Sequence, residues 1–284
     1  MKRVGVVAKT DREEARSVVP TLVDWLAGRD LQVVLEKETA GLYPRASSAV
    51  RKADLPAQVD LLIVLGGDGT LLSVARLVGD SSVPILGVNL GGLGFLTATT
   101  LEELFPALES LLAGQMLVEE RMMLCAQVLR QGERLSEYVA LNDVVVTKSA
   151  MSRIINLAVA VEGQAATDYR ADGLIISTPT GSTAYGLSAG GPIVYPTMDA
   201  VVLTPICSHT LTNRPIVLPA SLRIEVTLLT ENQDVMLTLD GQVGFALKER
   251  DTVEIRQAVP RIRLVRFPQK HFFSVLRTKL KWGE

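Results

Sequence analysis

Leu61-Leu62-Ile63-Val64-Leu65-Gly66-Gly67-Asp68-Gly69-Thr70 runs from an unbroken apolar stretch straight into three glycines and an aspartate. Five consecutive apolar residues that stop at glycine have the pattern of a parallel strand covered on both faces. The residues that follow, 71–77, have the composition of a helix. Strand, glycine turn and helix in that order form the repeating unit of an open α/β sheet. The same alternation extends on both sides. Residues 4–8 form a short β-branched run, and 13–26 place Val18, Val19, Leu22, Trp25 and Leu26 at helical spacing. Residues 31–35 and 84–88 read as further strands, and 101–112 as a further helix.

After about Gln115 the rhythm changes. Short apolar runs at 122–129, 135–141, 143–147, 154–161, 222–229 and 235–239 alternate with turn pairs such as Gln131-Gly132, Glu162-Gly163 and Asp240-Gly241. That pattern predicts antiparallel hairpins. The expected fold class is an α/β N-terminal domain on an open parallel, Rossmann-like sheet, followed by an all-β, sandwich-like C-terminal domain. The expected boundaries are 1–115 for the first and 116–267 for the second, with a tail, 268–284, packing back on the first. The stretch 261–281 is basic, and Phe267, Phe272, Phe273 and Trp282 are interleaved in and after it. It reads as a last strand and a docking helix whose aromatics are core.

Composition excludes several functions. The 284 residues are 48% hydrophobic, and 29 Lys and Arg nearly balance 31 Asp and Glu, so the chain is neither disordered nor a basic nucleic-acid binder. Only two cysteines, Cys125 and Cys207, and two histidines, His209 and His271, are present, in no zinc-binding spacing. This favours a reducing compartment. No apolar run approaches the ~18 residues of a membrane span, and 4–8 is too short for a signal-peptide core. A soluble cytoplasmic protein with no membrane or nucleic-acid partner is expected.

Four segments carry chemistry. Gly66, Gly67, Gly69 and Thr70 lie where open α/β sheets bind ligands, at a strand's carboxyl end, with a helix N-terminus offering unpaired N–H groups to an anion. Asp68 within that nest repels phosphate unless it binds Mg²⁺ or takes a proton from a hydroxyl; a helix-capping aspartate is the plain alternative. The P-loop pattern is absent, and Leu72 stands where the dinucleotide fingerprint requires glycine. The second segment, Gly87 to Phe95, brings Gly91, Gly92 and Gly94 to the next strand end. Eight of the chain's 22 glycines fall between Gly66 and Gly94, so the two loops suggest one phosphate-binding crevice. The third, Asp172 to Pro192, is dense in hydroxyls and glycines suited to sugars and bases. The fourth is Asn142-Asp143, before a valine run. Its asparagine can pair with an adenine edge and its aspartate with ribose hydroxyls.

GGDGT, the Asn-acid pair and DG…TPTGSTAY…SAGGP occur in an order that resembles the NAD kinase family, over nearly the whole chain from Val4 to about Phe267. GGDGT alone is shared with lipid kinases and phosphofructokinases; TPTGSTAY is far more specific. The resemblance implies phosphorylation of the adenosine-ribose 2′-hydroxyl of NAD to give NADP, with ATP as donor and a divalent metal, Mg²⁺, carried with ATP near Asp68. It implies that Asp68 is the base and that Gly69 stands beside it at the phosphates. Asn142 and Asp143 contact adenine and ribose, while Arg153, Arg170 and Asp172 line the dinucleotide site. Thr183, Ala184, Tyr185, Gly186, Leu187 and Ser188 wrap the adenine and the site of phosphorylation, and Gln242 is a further contact. The family pattern reads Asn-Glu; Asp143 is one methylene shorter and keeps the charge. The resemblance makes 1–115 a nucleotide-binding domain and 116–267 a domain for NAD binding and oligomerisation, as a homodimer or homotetramer. Asp68, Asn142 and Asp172 are expected to converge on one pocket between the domains. A non-catalytic NAD(P)-binding sensor is the alternative from another class.

Overall fold

The computed structural model describes residues 1–46, 49–149, 151–210, 212–231, 233–268 and 270–281. The chain forms two compact units, Met1–Glu120 with Ile262–Glu284, and Arg121–Arg261.

The first unit is built on an eight-stranded sheet. Its order is Ala49–Val50, Gln32–Glu36, Arg3–Ala8, Leu61–Gly66, Ile85–Asn89, Ile262–Arg266 and Leu117–Arg121, with Thr99–Thr100 also paired to Ile85–Asn89. Arg3–Ala8, Leu61–Gly66 and Ile85–Asn89 pair in parallel at the centre. All six residues of Leu61–Gly66 are buried, as its unbroken apolar run requires. Helix Glu13–Ala27 buries Ala15, Val18, Val19, Leu22, Val23 and Leu26, one stripe at the 3.6-residue period. Helix Leu104–Leu112 buries Leu104, Ala107, Leu108 and Leu111 in the same way. The helix after the glycine turn starts at Asp68 and runs to Val78, three residues earlier than the apolar spacing suggests, because Gly67 in extended conformation is its N-cap.

The end of the chain belongs to this unit. Ile262–Arg266 enters the sheet beside Ile85–Asn89, with Leu264 opposite Ile85. Helix Phe272–Leu280 follows and buries Val275 and Leu276. Phe267 packs on the core, but Phe273 is 54% exposed. The expectation that the tail aromatics are core therefore fails at Phe273: the aliphatic pair one turn further on takes the buried face. Trp282 lies outside the described residues.

The second unit is a sandwich of two six-stranded antiparallel sheets. One runs Ile216–Pro219, Ala200–Ile206, Gly173–Ser177, Asp143–Lys148, Val235–Leu239 and Val243–Leu247. The other runs Gln164–Ala171, Ile155–Val161, Ile224–Leu228, Thr252–Gln257, Leu124–Arg130 and Glu133–Ala140. Alternate residues such as Leu124, Ala126 and Val128, or Val235, Leu237 and Leu239, share one buried core. Hairpin turns Gln131-Gly132 and Glu162-Gly163 hold both residues at positive φ, the twist that two-residue hairpins require.

One ion pair pins the edge of this core. The Arg130 guanidinium donates to both oxygens of Asp251, at 2.7 and 2.8 Å, and the Asp251 side chain is fully buried. Lys248 N–H donates to the same carboxylate at 2.8 Å. Burial pushes the Asp251 carboxyl up, but the bonds from Arg130 and Lys248, with their charges, outweigh it and hold it below the usual carboxylate range. A depressed carboxyl stabilises the fold above its unfolded pKa of about 3.9, and that contribution is lost as pH falls through the folded value. Asp251→Asn should lower unfolding free energy at neutral pH by about 1.5–3 kcal/mol. The gap to the unsubstituted protein should narrow below about pH 4; urea denaturation at several pH values measures both effects.

Candidate active site

In the α/β unit the site grows from two adjacent strand ends. Leu61–Gly66 and Ile85–Asn89 lie in parallel register, with Gly66 opposite Asn89. Asp68 opens the helix that follows the first strand, and its side chain turns away from that helix to the loop after the second. Its Oδ2 accepts from Phe95 N–H at 2.9 Å. Its Oδ1 accepts from Leu96 N–H at 3.1 Å, Thr97 N–H at 2.9 Å and the Thr97 hydroxyl at 2.8 Å. Asn89 Nδ2 donates in turn to Thr97 Oγ1 at 2.8 Å. The capping alternative is thereby replaced: Gly67 is the cap, and the Asp68 carboxylate holds a loop about thirty residues away. Gly94 has to be glycine, because a Cβ there would overlap the Asp68 carboxylate and the Thr97 hydroxyl.

These contacts sort the two glycine loops. The N–H groups of Gly91, Gly94 and Phe95 are spent within the second loop, on Asn89 Oδ1, Thr97 O and Asp68 Oδ2 respectively. The first loop ends in a helix N-terminus, with Gly69 exposed and Gly67 half-buried. Gly66 is buried and packs against the Thr70 side chain. The second loop therefore shapes Asp68, through the N–H groups of Phe95, Leu96 and Thr97.

In the β unit the second constellation centres on Asn142-Asp143. One carboxylate, Asp240, accepts three successive N–H groups: Leu141 at 3.1 Å, Asn142 at 2.7 Å and Asp143 at 3.2 Å. The 178–181 turn sits on the same segment. Thr178 N–H donates to Asn142 O at 2.9 Å, and the Thr178 hydroxyl donates to Leu141 O at 2.6 Å. Gly181 lies so close to the Asn142 backbone that any side chain would collide with it. Held on both sides, Asn142 leaves its side-chain Oδ1 buried with no hydrogen-bond partner among the described residues, and Thr180 Oγ1 is in the same condition. Buried acceptors of this kind are rare without a ligand or water to satisfy them.

The remaining residues named from sequence take varied positions. Asp172 is half-buried, with Lys148 Nζ 3.6 Å from its carboxylate. Arg170 is exposed on strand Gln164–Ala171, and Arg153 is exposed with its N–H on Gln233. Thr183 donates through its hydroxyl to Thr180 O at 3.3 Å. Ala184 precedes the short helix Tyr185–Ser188, which carries Tyr185 exposed, Gly186 buried, Leu187 half-buried and Ser188 exposed. Gln242 is exposed just beyond the Asp240-Gly241 turn. Sequence reasoning missed Asp240, Lys148, Asn89 and Thr97. Asp240 was visible only in the Asp240-Gly241 turn, Asn89 lay unremarked inside the Gly87–Phe95 segment, and Lys148 and Thr97 carried no motif of their own. Among the described residues no cluster of three or more His, Cys, Asp or Glu could hold a metal, and no helix is long and apolar enough to cross a membrane.

Asp143 and Asp240 are both buried, and burial together with the Asp240 charge raises the Asp143 carboxyl to about 7. Three N–H donors keep Asp240 the better anion of the pair, so the proton resides on Asp143. Because its folded value is raised, the protein loses stability as pH climbs from about 4 to about 7. Asp143→Asn, which mimics the protonated acid, should match the unsubstituted protein at about pH 3.5, below the unfolded value, and exceed it in stability at about pH 8. Denaturant titrations at the two pH values measure the crossover, and equal stability at the higher pH would contradict it.

Two family models match this chain: the ATP-NAD kinase N-terminal domain over residues 4–116 and the ATP-NAD kinase C-terminal domain over residues 141–267. The chain is 52% identical to the NAD kinase of Geotalea daltonii and 51% identical to that of Geobacter sulfurreducens, each over 284 residues and the full length of both chains. Among solved structures it resembles yeast NADH kinase complexed with NADH, with a TM-score of 0.92 and 26% identity, covering 100% of this chain and 89% of that one. It also resembles an NAD kinase from Archaeoglobus fulgidus in complex with ATP, with a TM-score of 0.77 and 26% identity, covering 98% of each chain.

Proposed function

The chain belongs to the ATP-NAD kinase family, and we propose from its own residues how it carries a phosphoryl group from ATP to the 2′-hydroxyl of the adenosine ribose of NAD. It is an NAD kinase, and its product is NADP. Phosphoryl transfer asks a protein mainly for alignment and charge neutralisation, which suits a site with no histidine or cysteine in it.

Asp68 is the catalytic residue in this reading. It orients the 2′-hydroxyl and accepts its proton as the oxygen attacks the terminal phosphorus of ATP, whose bond to the bridging oxygen breaks so that ADP leaves. The observation that carries the assignment is the fixed carboxylate: four donors set its plane, and Oδ2, with one donor to the three on Oδ1, keeps acceptor capacity for a substrate hydroxyl. Such fixing serves catalysis, because a carboxylate free to rotate loses the geometry that proton transfer needs. The helix N-terminus at 67–69 faces the phosphates.

Residues of the β unit serve in recognition of NAD. The unpaired Asn142 Oδ1 takes the adenine amino group, Asp143 takes a ribose hydroxyl, and Thr183 to Ser188 with Asp172 line the dinucleotide. Arg153, Arg170 and Gln242 are outer contacts. The donor set among the described residues does not form a metal cage, but it fits Mg²⁺ that arrives on ATP, since such ions are held by phosphates and one or two carboxylates, and Asp68 would be the carboxylate near it. The ion, when bound, neutralises charge on the transferring group. Cytoplasmic residence is supported by the free cysteines, Cys125 and Cys207, and a homodimer or homotetramer through the β unit by the resemblance.

Asp68→Asn should lower kcat by at least about 10²–10⁴-fold, the usual worth of a general base. KM for NAD should rise far less. The amide keeps an acceptor for Leu96 and Thr97 but sets an NH₂ against Phe95 N–H, so a melting curve must accompany the assay. Near-normal kcat in a folded variant would remove the catalytic role. Asn142→Ala should instead raise KM for NAD by about 10-fold, the worth of one hydrogen bond to a base, with kcat changed little.

A further inference from the structure

Arg266 lies in the strand Ile262–Arg266, far from every motif in the sequence, and it is buried. Its Nη2 donates to Phe95 O at 3.0 Å and its Nη1 to Leu96 O at 3.2 Å. Its Nε stands 3.6 Å from Glu119 Oε2. The two carbonyls that it holds belong to the same peptide units whose N–H groups bind Asp68. The Phe95 carbonyl shares a peptide with Leu96 N–H, and the Leu96 carbonyl shares one with Thr97 N–H. Two successive peptides are thus stretched between a guanidinium and a carboxylate, each accepting from Arg266 at one end and donating to Asp68 at the other. Hydrogen bonds linked in this way polarise and strengthen one another. The planar fork of arginine presents two N–H groups in fixed geometry to the two carbonyls, which the compact point charge of an ammonium does not.

We propose that Arg266 is a positioning residue for phosphoryl transfer, acting on Asp68 through the 95–96 and 96–97 peptides. The proposal rests on the catalytic reading of Asp68. It gives the returning end of the chain a function: the strand inserted between Ile85–Asn89 and Leu117–Arg121 also carries the cation that orients the site. Arg266 is buried and acts through those carbonyls. Its loss frees the 95–97 loop, and with it the plane of the Asp68 carboxylate. Misplacement of a catalytic group by about an ångström costs up to about 10²-fold in rate.

The test compares Arg266→Gln and Arg266→Lys with the unsubstituted enzyme, using steady-state kinetics with Mg·ATP and NAD together with melting curves. Arg266→Gln should lower kcat by about 10- to 100-fold with KM for NAD within about threefold. Arg266→Lys, which keeps the charge and one bond, should recover part of the loss and keeps the test available if the glutamine variant does not fold. A purely structural role predicts otherwise: a lower melting temperature, with kcat per folded molecule unchanged in both variants. That outcome would overturn the proposal, as would a lysine variant as slow as the glutamine one. Asp68→Asn, assayed in parallel, separates the two levels. If it keeps normal turnover, the reading of Asp68 has failed; if it is inactive while both Arg266 variants are fast, only the positioning role has failed.

Discussion

The carboxylate of Asp68 is the constraint on which the α/β site depends. It accepts four hydrogen bonds from Phe95, Leu96 and Thr97 and so ties together the loops that leave two neighbouring parallel strands. Charge-assisted bonds of this kind are roughly twice as strong as neutral ones. They define one position for the carboxylate, and they also fix several residues around it. Gly94 can carry no side chain, Thr97 must both donate to Asp68 and accept from Asn89, and Arg266 holds the opposite face of the same peptides. The shape of the site follows from this economy: the loop that looks like a phosphate cradle uses the N–H groups of Gly91 and Gly94 on itself and those of Phe95, Leu96 and Thr97 on Asp68.

The β unit solves a similar problem with different parts. Asp240 gathers the N–H groups of Leu141, Asn142 and Asp143, and the Thr178 turn closes on the other side. In both units an aspartate organises main-chain amides from a segment distant in sequence. They differ in consequence. Asp68 has one donor on Oδ2 against three on Oδ1, whereas Asp240 is a brace whose charge raises its neighbour Asp143 to about 7. Asp143 is therefore poised to donate as well as accept a hydrogen bond near neutral pH.

Much of this was legible in the residues. The apolar run before Gly66 marked the central strand, the stripe from Val18 to Leu26 marked a helix, and the Gln131-Gly132 and Glu162-Gly163 pairs marked hairpins, because each is a local pattern with a local cause. GGDGT and TPTGSTAY marked the candidate site. What could not be read is long-range. Arg266 meets Leu96 across 170 residues, Asp240 meets Asn142 across 98, and neither contact leaves a periodicity or a motif. The raised Asp143 carboxyl depends on burial and on a partner in another strand turn, which only the folded chain brings together. Phe273 was misjudged because aromatic character alone does not say which face of a short helix is covered.

The most direct measurement is a crystal structure of the enzyme with NAD and a non-hydrolysable ATP analogue. The account predicts the 2′-oxygen of the adenosine ribose within about 2.6–3.2 Å of Asp68 Oδ2, with the Phe95–Thr97 bonds to the carboxylate kept. A 2′-oxygen well beyond hydrogen-bond reach, facing another residue while Asp68 stays tied to its loop, would contradict it.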